Sequence, residues 1–206
     1  MSIDTTATSR LPVMESFYTL QGEGAYTGNA AYFVRLGGCD VGCFWCDVKE
    51  SWDANAHPKL EISSIVEEIV QSGAQIAVIT GGEPAMHQLD SLCSAIGEKG
   101  IRRHIETAGV HPLSGTWDWI CLSPKKFKPT LDEYYSKAHE LKIVVYNRHD
   151  LNWAEEHAAK VNPDCLLYLQ PEWDKREEVM PLLLNHVREN PKWRLSLQTH
   201  KFLGIP

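Results

Sequence analysis

Short apolar runs rich in β-branched residues alternate with amphipathic helical stretches along most of this chain, and that alternation constrains the fold more than any other feature. The runs span residues 31–36, 75–80, 101–106, 117–122, 141–146, 165–170 and 193–197. Most are short and uniformly apolar, as strands buried on both faces are. Between them, residues 62–71 carry Ile62, Ile65, Val66, Ile69 and Val70 on one side, with Ser64 and Glu67 spaced as a capping box. Residues 86–99 repeat the pattern through Leu89, Leu92, Cys93 and Ile96, and Gly100 stands where a left-handed C-cap belongs. Residues 151–161 and 174–190 are predicted helices too, the second kinked or interrupted by Pro181. The alternation gives a parallel sheet with right-handed crossovers, either doubly wound or curled into a barrel. One crossover resists the scheme. Between Glu106 and Trp117 lie only ten residues, among them Gly109, Pro112 and Gly115, so its helix is predicted to be missing or reduced to a turn.

At 206 residues and 43% apolar composition, the chain has material for a single α/β domain over 1–206, with residues 1–12 as a loosely ordered lead-in. That polar start lacks the apolar core of a signal peptide, and no stretch approaches the roughly 20 apolar residues that cross a bilayer, which leads us to expect a soluble cytoplasmic protein without a membrane partner. A formal net charge of −7 argues against nucleic acid as a partner, because phosphate backbones are bound through clustered cationic side chains.

Six cysteines in a chain expected inside the cell read as metal ligands or buried thiols and not as a disulfide framework. Cys93, Cys121 and Cys165 fall inside a predicted helix and two predicted strands, where a thiol behaves as a small core residue. Cys39, Cys43 and Cys46 instead crowd into the loop that follows the first strong strand, at the end where α/β folds place their sites. Zinc ribbons use two separated pairs of ligands and most iron–sulfur carriers use four cysteines, whereas this loop supplies three. Two readings stay open on spacing alone. One is a zinc site completed by a distant histidine such as His57. The other is a [4Fe–4S] cluster with one iron left open to a ligand.

Cys-x3-Cys-x2-Cys with an aromatic residue, Trp45, before the last cysteine resembles the signature of the radical S-adenosylmethionine (SAM) superfamily. The run 76–79 leading into Thr80-Gly81-Gly82-Glu83-Pro84 is similar to that superfamily's Gly-Gly-Glu motif. An ammonium group wants carbonyls and a carboxylate, and paired glycines let backbone approach closely. The resemblance implies a partial, shortened TIM-like (β/α)6 barrel with one reduced crossover helix. It also implies that the open iron chelates SAM, whose reductive cleavage yields a 5′-deoxyadenosyl radical.

Glu15-Ser16-Phe17-Tyr18-Thr19-Leu20-Gln21-Gly22-Glu23-Gly24, Arg35, Ser123-Pro124-Lys125, Gln170-Pro171 and the final Gln198-Thr199-His200-Lys201-Phe202-Leu203-Gly204-Ile205-Pro206, taken in order, resemble the 7-carboxy-7-deazaguanine synthase family. That family converts 6-carboxy-5,6,7,8-tetrahydropterin to 7-carboxy-7-deazaguanine with loss of ammonia, in queuosine and deazapurine biosynthesis and hence tRNA modification. The resemblance implies that Leu20, Gln21, Gly22, Arg35, Thr80 and Pro206 bind the pterin. It further implies that Gly82, Glu83, Ser123, Pro124, Lys125, Gln170, Pro171, Glu172 and Trp173 surround SAM. Glu23, Glu106 and His200 are the candidates for steering protons. A flavodoxin-like external electron donor and a homodimer are implied as partners.

One departure stands out: where much of the family has a threonine associated with Mg²⁺ two residues after the last cluster cysteine, this chain has Val48. Valine offers no oxygen ligand, so Mg²⁺ is expected to be absent, held by other groups, or replaced by Lys49 as a counter-charge. Two rivals remain at this stage: a small radical SAM activase of a glycyl-radical enzyme, and a zinc- or cluster-binding interaction protein without catalysis.

Overall fold

A computed structural model describes residues 9–206. Nine strands form one sheet in the order β3-β1-β2-β4-β5-β6-β7-β8-β9. They are β1 Arg10–Leu20, β2 Ala30–Leu36, β3 Lys59–Glu61, β4 Ile76–Gly81, β5 Arg102–Thr107, β6 Trp119–Leu122, β7 Glu140–Val145, β8 Leu166–Pro171 and β9 Trp193–Leu195. From β2 through β9, skipping β3, the pairing is parallel throughout, whereas β1 lies antiparallel to both β2 and β3. The helices are α1 Ile62–Gln71, α2 Asp90–Glu98, α3 Glu133–Lys137, α4 His149–Ala158, α5 Arg176–Glu189 and α6 Thr199–Leu203. Six strand-and-crossover units followed by a seventh parallel strand therefore make a sheet that curls without closing, the partial barrel expected from the sequence.

The alternation of side chains builds two packed layers. On β4, Ala77 and Ile79 face outward onto Ile65, Ile69 and the helical core, while Ile76 and Val78 face inward with Ala31 and Phe33. All four β4 residues are buried, which is why this strand reads as a continuous apolar run. Gly100, with φ of +72°, ends the α2 turn as expected.

Between Thr107 and Trp119 there is no helix, as the glycines and Pro112 predict. The loop takes another job: Ala108 and Val110 pack against Val41 and Cys43 and line the floor under the cysteine loop.

Several expectations need correction. Residues 1–8 lie outside the described residues, but 10–12 are no lead-in: they open β1 and pair with β3, and Leu11 is fully buried. Both strands were hidden, β1 because polar and apolar residues mix along it and β3 because three residues carry no period. Ser64 and Glu67 do not form a capping box, since α1 starts directly off β3 at Ile62 and Ser64 sits inside its first turn without a capping bond. The α2 helix starts at Asp90 and not at 86, because Pro84–Met86 form a separate 3-10 turn and the Leu89 N–H is capped by Ser114 Oγ at 3.0 Å. Pro181 does not interrupt α5, which runs unbroken from Arg176 to Glu189. The short α3 and α6 have too few residues to show a helical period and were not anticipated.

Candidate active site

The C-terminal ends of the parallel strands open on one cavity. Arg35 of β2 and Thr80 of β4 are register partners at its wall, joined by Glu106 of β5, Lys142 of β7 and Gln170 of β8. The three cysteines line it from the loop after β2, with Cys43 buried and Cys39 and Cys46 half-buried.

Backbone contacts shape this wall. Gly38 and Cys39 donate N–H bonds to the carbonyls of Ser51 and Trp52 at 2.6 and 3.1 Å. The turn after β4 is laced to the same loop, with Gly82 N–H on Leu36 O and Glu83 N–H on Gly38 O, both 2.8 Å. A Cβ on Gly82 would stand 2.2 Å from the Gly38 carbonyl oxygen, and one on Gly81, whose φ is +115°, would stand 2.3 Å from the Leu36 nitrogen. The paired glycines thus let the Gly-Gly-Glu turn lie directly on the cysteine loop.

Glu83, expected to face SAM, is 1% exposed and uses its carboxylate to brace this turn. It accepts from Ala85 N–H at 3.0 Å, Ala108 N–H at 2.8 Å and the Thr107 hydroxyl. Burial raises its pKa, opposed by those three hydrogen bonds and the Lys125 charge.

Burial pushes the Cys43 thiol up to about 11 and Cys39 also upward. The thiolate is the metal ligand, so binding a metal there releases these protons. The donor set is three thiols on one loop. Three thiolates suit a [4Fe–4S] cluster with one iron open, whereas structural zinc sites take four protein ligands. His57, which would have completed the zinc site, has its Nε2 on the Glu50 carbonyl at 2.8 Å.

The opposite wall is charged. Lys142, with a side chain 4% exposed, places its ammonium between Glu23 and Glu106, 3.0 Å from Glu106 Oε2. Gln21 Nε2 donates to Glu106 Oε1 at 2.9 Å, and its amide oxygen accepts the Glu23 N–H at 3.1 Å. Burial raises the Glu23 carboxyl, but the Lys142 charge and hydrogen bond, with help from His200 and Gln198, outweigh it and hold the group at about 2. Lys142 is likewise pressed downward by burial but is held well above its ordinary range by Cys121, Glu106, Glu23 and Glu140.

The end of the chain closes the cavity. Thr199 donates both N–H and hydroxyl to Gly22 O, at 2.9 and 3.0 Å, and a Cβ on Gly22 would sit 2.1 Å from His200 Nδ1. Gly204, left-handed at φ of +65°, ends α6 and turns Pro206 into the cavity wall. Burial lowers the His200 pKa against the pull of Glu23.

Every site residue expected from the sequence lines this cavity except Pro124. Arg35 is half-buried at the rim, 3.3 Å from Glu15, over the ring of Phe17. Lys125 directs its ammonium onto Ser123 Oγ and O, both 2.6 Å, below the ring of Trp45. Lys49 is exposed and does not line the cavity, while Lys201 does, with its ammonium 2.8 Å from Asp47 Oδ2 next to Val48. Sequence reasoning missed Lys142 and Lys201. A lysine in the middle of the apolar run of β7 was a legible signal for the first, because lysine is almost never fully buried without a partner. Lys201 gave none.

Residues 33–146, from β2 to the end of β7, match the Radical SAM superfamily, and the chain belongs to it. Within that superfamily it is similar to 7-carboxy-7-deazaguanine synthases. It is 55% identical over 196 residues to the 7-carboxy-7-deazaguanine synthase of Flavobacterium psychrophilum, covering 95% of this chain and 93% of the relative. It is 46% identical to that of Synechocystis sp., covering 94% and 93%. A crystal structure of QueE from Escherichia coli superposes with a TM-score of 0.82 at 30% identity, covering 91% of this chain and 93% of that one. The chain belongs to the 7-carboxy-7-deazaguanine synthase family.

Proposed function

We propose that this protein converts 6-carboxy-5,6,7,8-tetrahydropterin to 7-carboxy-7-deazaguanine with loss of ammonia, as a radical SAM lyase of deazapurine biosynthesis. The observation that carries the reading is a single cavity with a three-thiol loop on one wall and, on the other, hydrogen-bonding groups suited to a pterin edge. Cys39, Cys43 and Cys46 would hold a [4Fe–4S] cluster, which would supply the electron for reductive cleavage of SAM.

The chain's own residues divide the remaining work. Gly82, Ser123, Lys125, Gln170, Pro171, Glu172 and Trp173 hold SAM beside the cysteine loop, while Glu83 and Pro124 act by shaping the turns that carry these groups. Arg35 meets a substrate carboxylate with a planar guanidinium. The Leu20–Gly22 backbone, Thr80 and Pro206 take the pterin ring, whose N–H groups need acceptors. Glu23, Glu106 and His200 stand where protons are moved during ring contraction.

An external one-electron donor of the flavodoxin kind, a homodimer, a cytoplasmic setting and delivery of the product to queuosine in tRNA complete the proposal. No helix among the described residues is long and apolar enough to cross a membrane. A glycyl-radical activase is not favoured, since it would leave the Gln21, Arg35 and Pro206 wall without a role.

Anaerobic incubation of reduced, cluster-loaded protein with SAM and the carboxytetrahydropterin is expected to release 7-carboxy-7-deazaguanine. Accumulation of 5′-deoxyadenosine without that product would keep the superfamily chemistry and refute the substrate. With Val48 offering no side-chain oxygen and Lys201 already beside Asp47, turnover is expected to persist in the presence of a Mg²⁺ chelator. Strict Mg²⁺ dependence would contradict that part of the reading.

A further inference from the structure

We propose that Lys142 is a positioning residue for the pterin, acting by holding the Glu23 and Glu106 carboxylates on one ammonium so that both accept hydrogen bonds from the substrate ring. The inference rests on the substrate reading above.

Three segments far apart in sequence meet here. Glu23 comes from the turn after β1, Glu106 from β5 and Lys142 from β7, and the ammonium touches both carboxylates. The two glutamates keep 15% and 21% of their side chains exposed toward the cavity, whereas Lys142 keeps 4%. All three line the cavity, and the carboxylates present more of their surface to it than the lysine does. Gln21 fixes the second oxygen of Glu106, so the carboxylate plane is set from two sides.

Other charged or titratable groups surround the trio. Cys121 on β6 and Glu140 on β7 lie beneath Lys142, Lys125 follows β6, and His200 faces Glu23 from α6 together with the amide of Gln198. The Glu140 carboxylate accepts from Ala25 N–H at 3.0 Å and Trp119 Nε1 at 3.4 Å, while the Lys142 ammonium pairs with Glu23 and Glu106. Lys142 is the only ammonium in hydrogen-bond contact with either glutamate among the described residues.

Without that ammonium the two like charges repel, which favours uptake of one proton by the pair. That proton would turn one acceptor into a donor facing the donor edge of an aminopyrimidinone ring. A purely structural ion pair has a different signature. Its replacement by an apolar side chain changes stability, and the pH dependence of catalysis stays as it was.

The test is the pH dependence of kcat/KM for the carboxytetrahydropterin in anaerobic holoenzyme, with 5′-deoxyadenosine formation and iron content followed in parallel. Lys142→Met is expected to lose about 100-fold at neutral pH, the order reached when a reacting group is misplaced by about 1 Å, and to regain activity as pH rises and the shared proton leaves. Lys142→Arg is expected to keep the wild-type profile. The double variant Lys142→Met with Glu23→Gln should lose the alkaline rise, since a lone carboxylate has no like charge beside it. A Lys142→Met enzyme with the wild-type profile, or an arginine variant with the same alkaline rise, overturns the inference.

Where Lys142→Met does not load iron, infrared difference spectra of the wild-type holoenzyme decide. No protonated-carboxyl band from Glu23, assigned by Glu23→Gln, is expected across neutral pH, and such a band would refute the idea. A wild-type enzyme that makes no product from the pterin refutes the substrate assignment instead, so the two failures are distinct.

Discussion

The two walls of the cavity are built on different physical principles. The cluster wall is a backbone construction, with Gly82 lying on Gly38, N–H bonds running from loop to loop, and thiols left free over an apolar bed. The substrate wall is an electrostatic construction, in which Glu23, Glu106 and Lys142 hold one another in place below a docked chain end. A backbone wall fixes where a cluster sits and tolerates little change. A charge wall fixes protonation as well as position, and it responds to pH.

The contrast can be broken most severely at the cysteines. Replacing any of Cys39, Cys43 or Cys46 by alanine is expected to abolish both iron–sulfur loading and SAM cleavage while leaving the substrate wall folded, checked by iron and sulfide analysis beside circular dichroism. Retained SAM cleavage would remove that residue from the ligand set. Gly82→Ala comes next. Its Cβ would meet the Gly38 oxygen at 2.2 Å, and the parted loops should lower SAM cleavage about 100-fold, the usual cost of a displacement near 1 Å. An alanine tolerated there would show that the cluster wall is not dictated by backbone approach.

Gly22→Ala sharpens the comparison from the other side. Pushing His200 and the chain end away is expected to raise KM for the pterin about tenfold, the equivalent of 1.4 kcal/mol, with SAM cleavage measured in the absence of pterin unchanged. The smallest effect is on acid stability. Glu23 is held at about 2 against an ordinary 4.5, so the stability it adds is fully present above 4.5 and is lost as pH falls toward 2. Glu23→Gln should flatten the fall in melting temperature through that window, and an unchanged acid limb would mean the carboxylate is not held by Lys142.

The same contrast explains what the sequence could disclose. Cys39, Cys43, Cys46, Gly81 and Gly82 are close in sequence and their spacing is set by local backbone geometry, so they formed readable motifs. Most of the parallel strands were readable as well, because burial on both faces makes runs such as Ile76–Ile79 of β4 apolar without interruption. Lys142 lies 119 residues from Glu23 and 36 from Glu106, and no local pattern announces a trio assembled by the fold. β1 was hidden for a related reason. Its polar residues point to partners distant in sequence, such as the Ser16 hydroxyl on Glu68 of α1 and Glu15 near Arg35, so they disguise a strand as a loop. Docking of the chain end depends on Gly22 leaving room for His200, and nothing near Gly22 in sequence reports it.

The central claim is that the three thiols hold a cluster with one iron open to SAM. It is tested most directly by electron paramagnetic resonance of the anaerobically reduced protein before and after SAM is added. The expected result is a [4Fe–4S]⁺ signal whose shape and g values change on addition, as an iron gains new ligands. A signal indifferent to SAM, or one equivalent of zinc in place of iron, would contradict it.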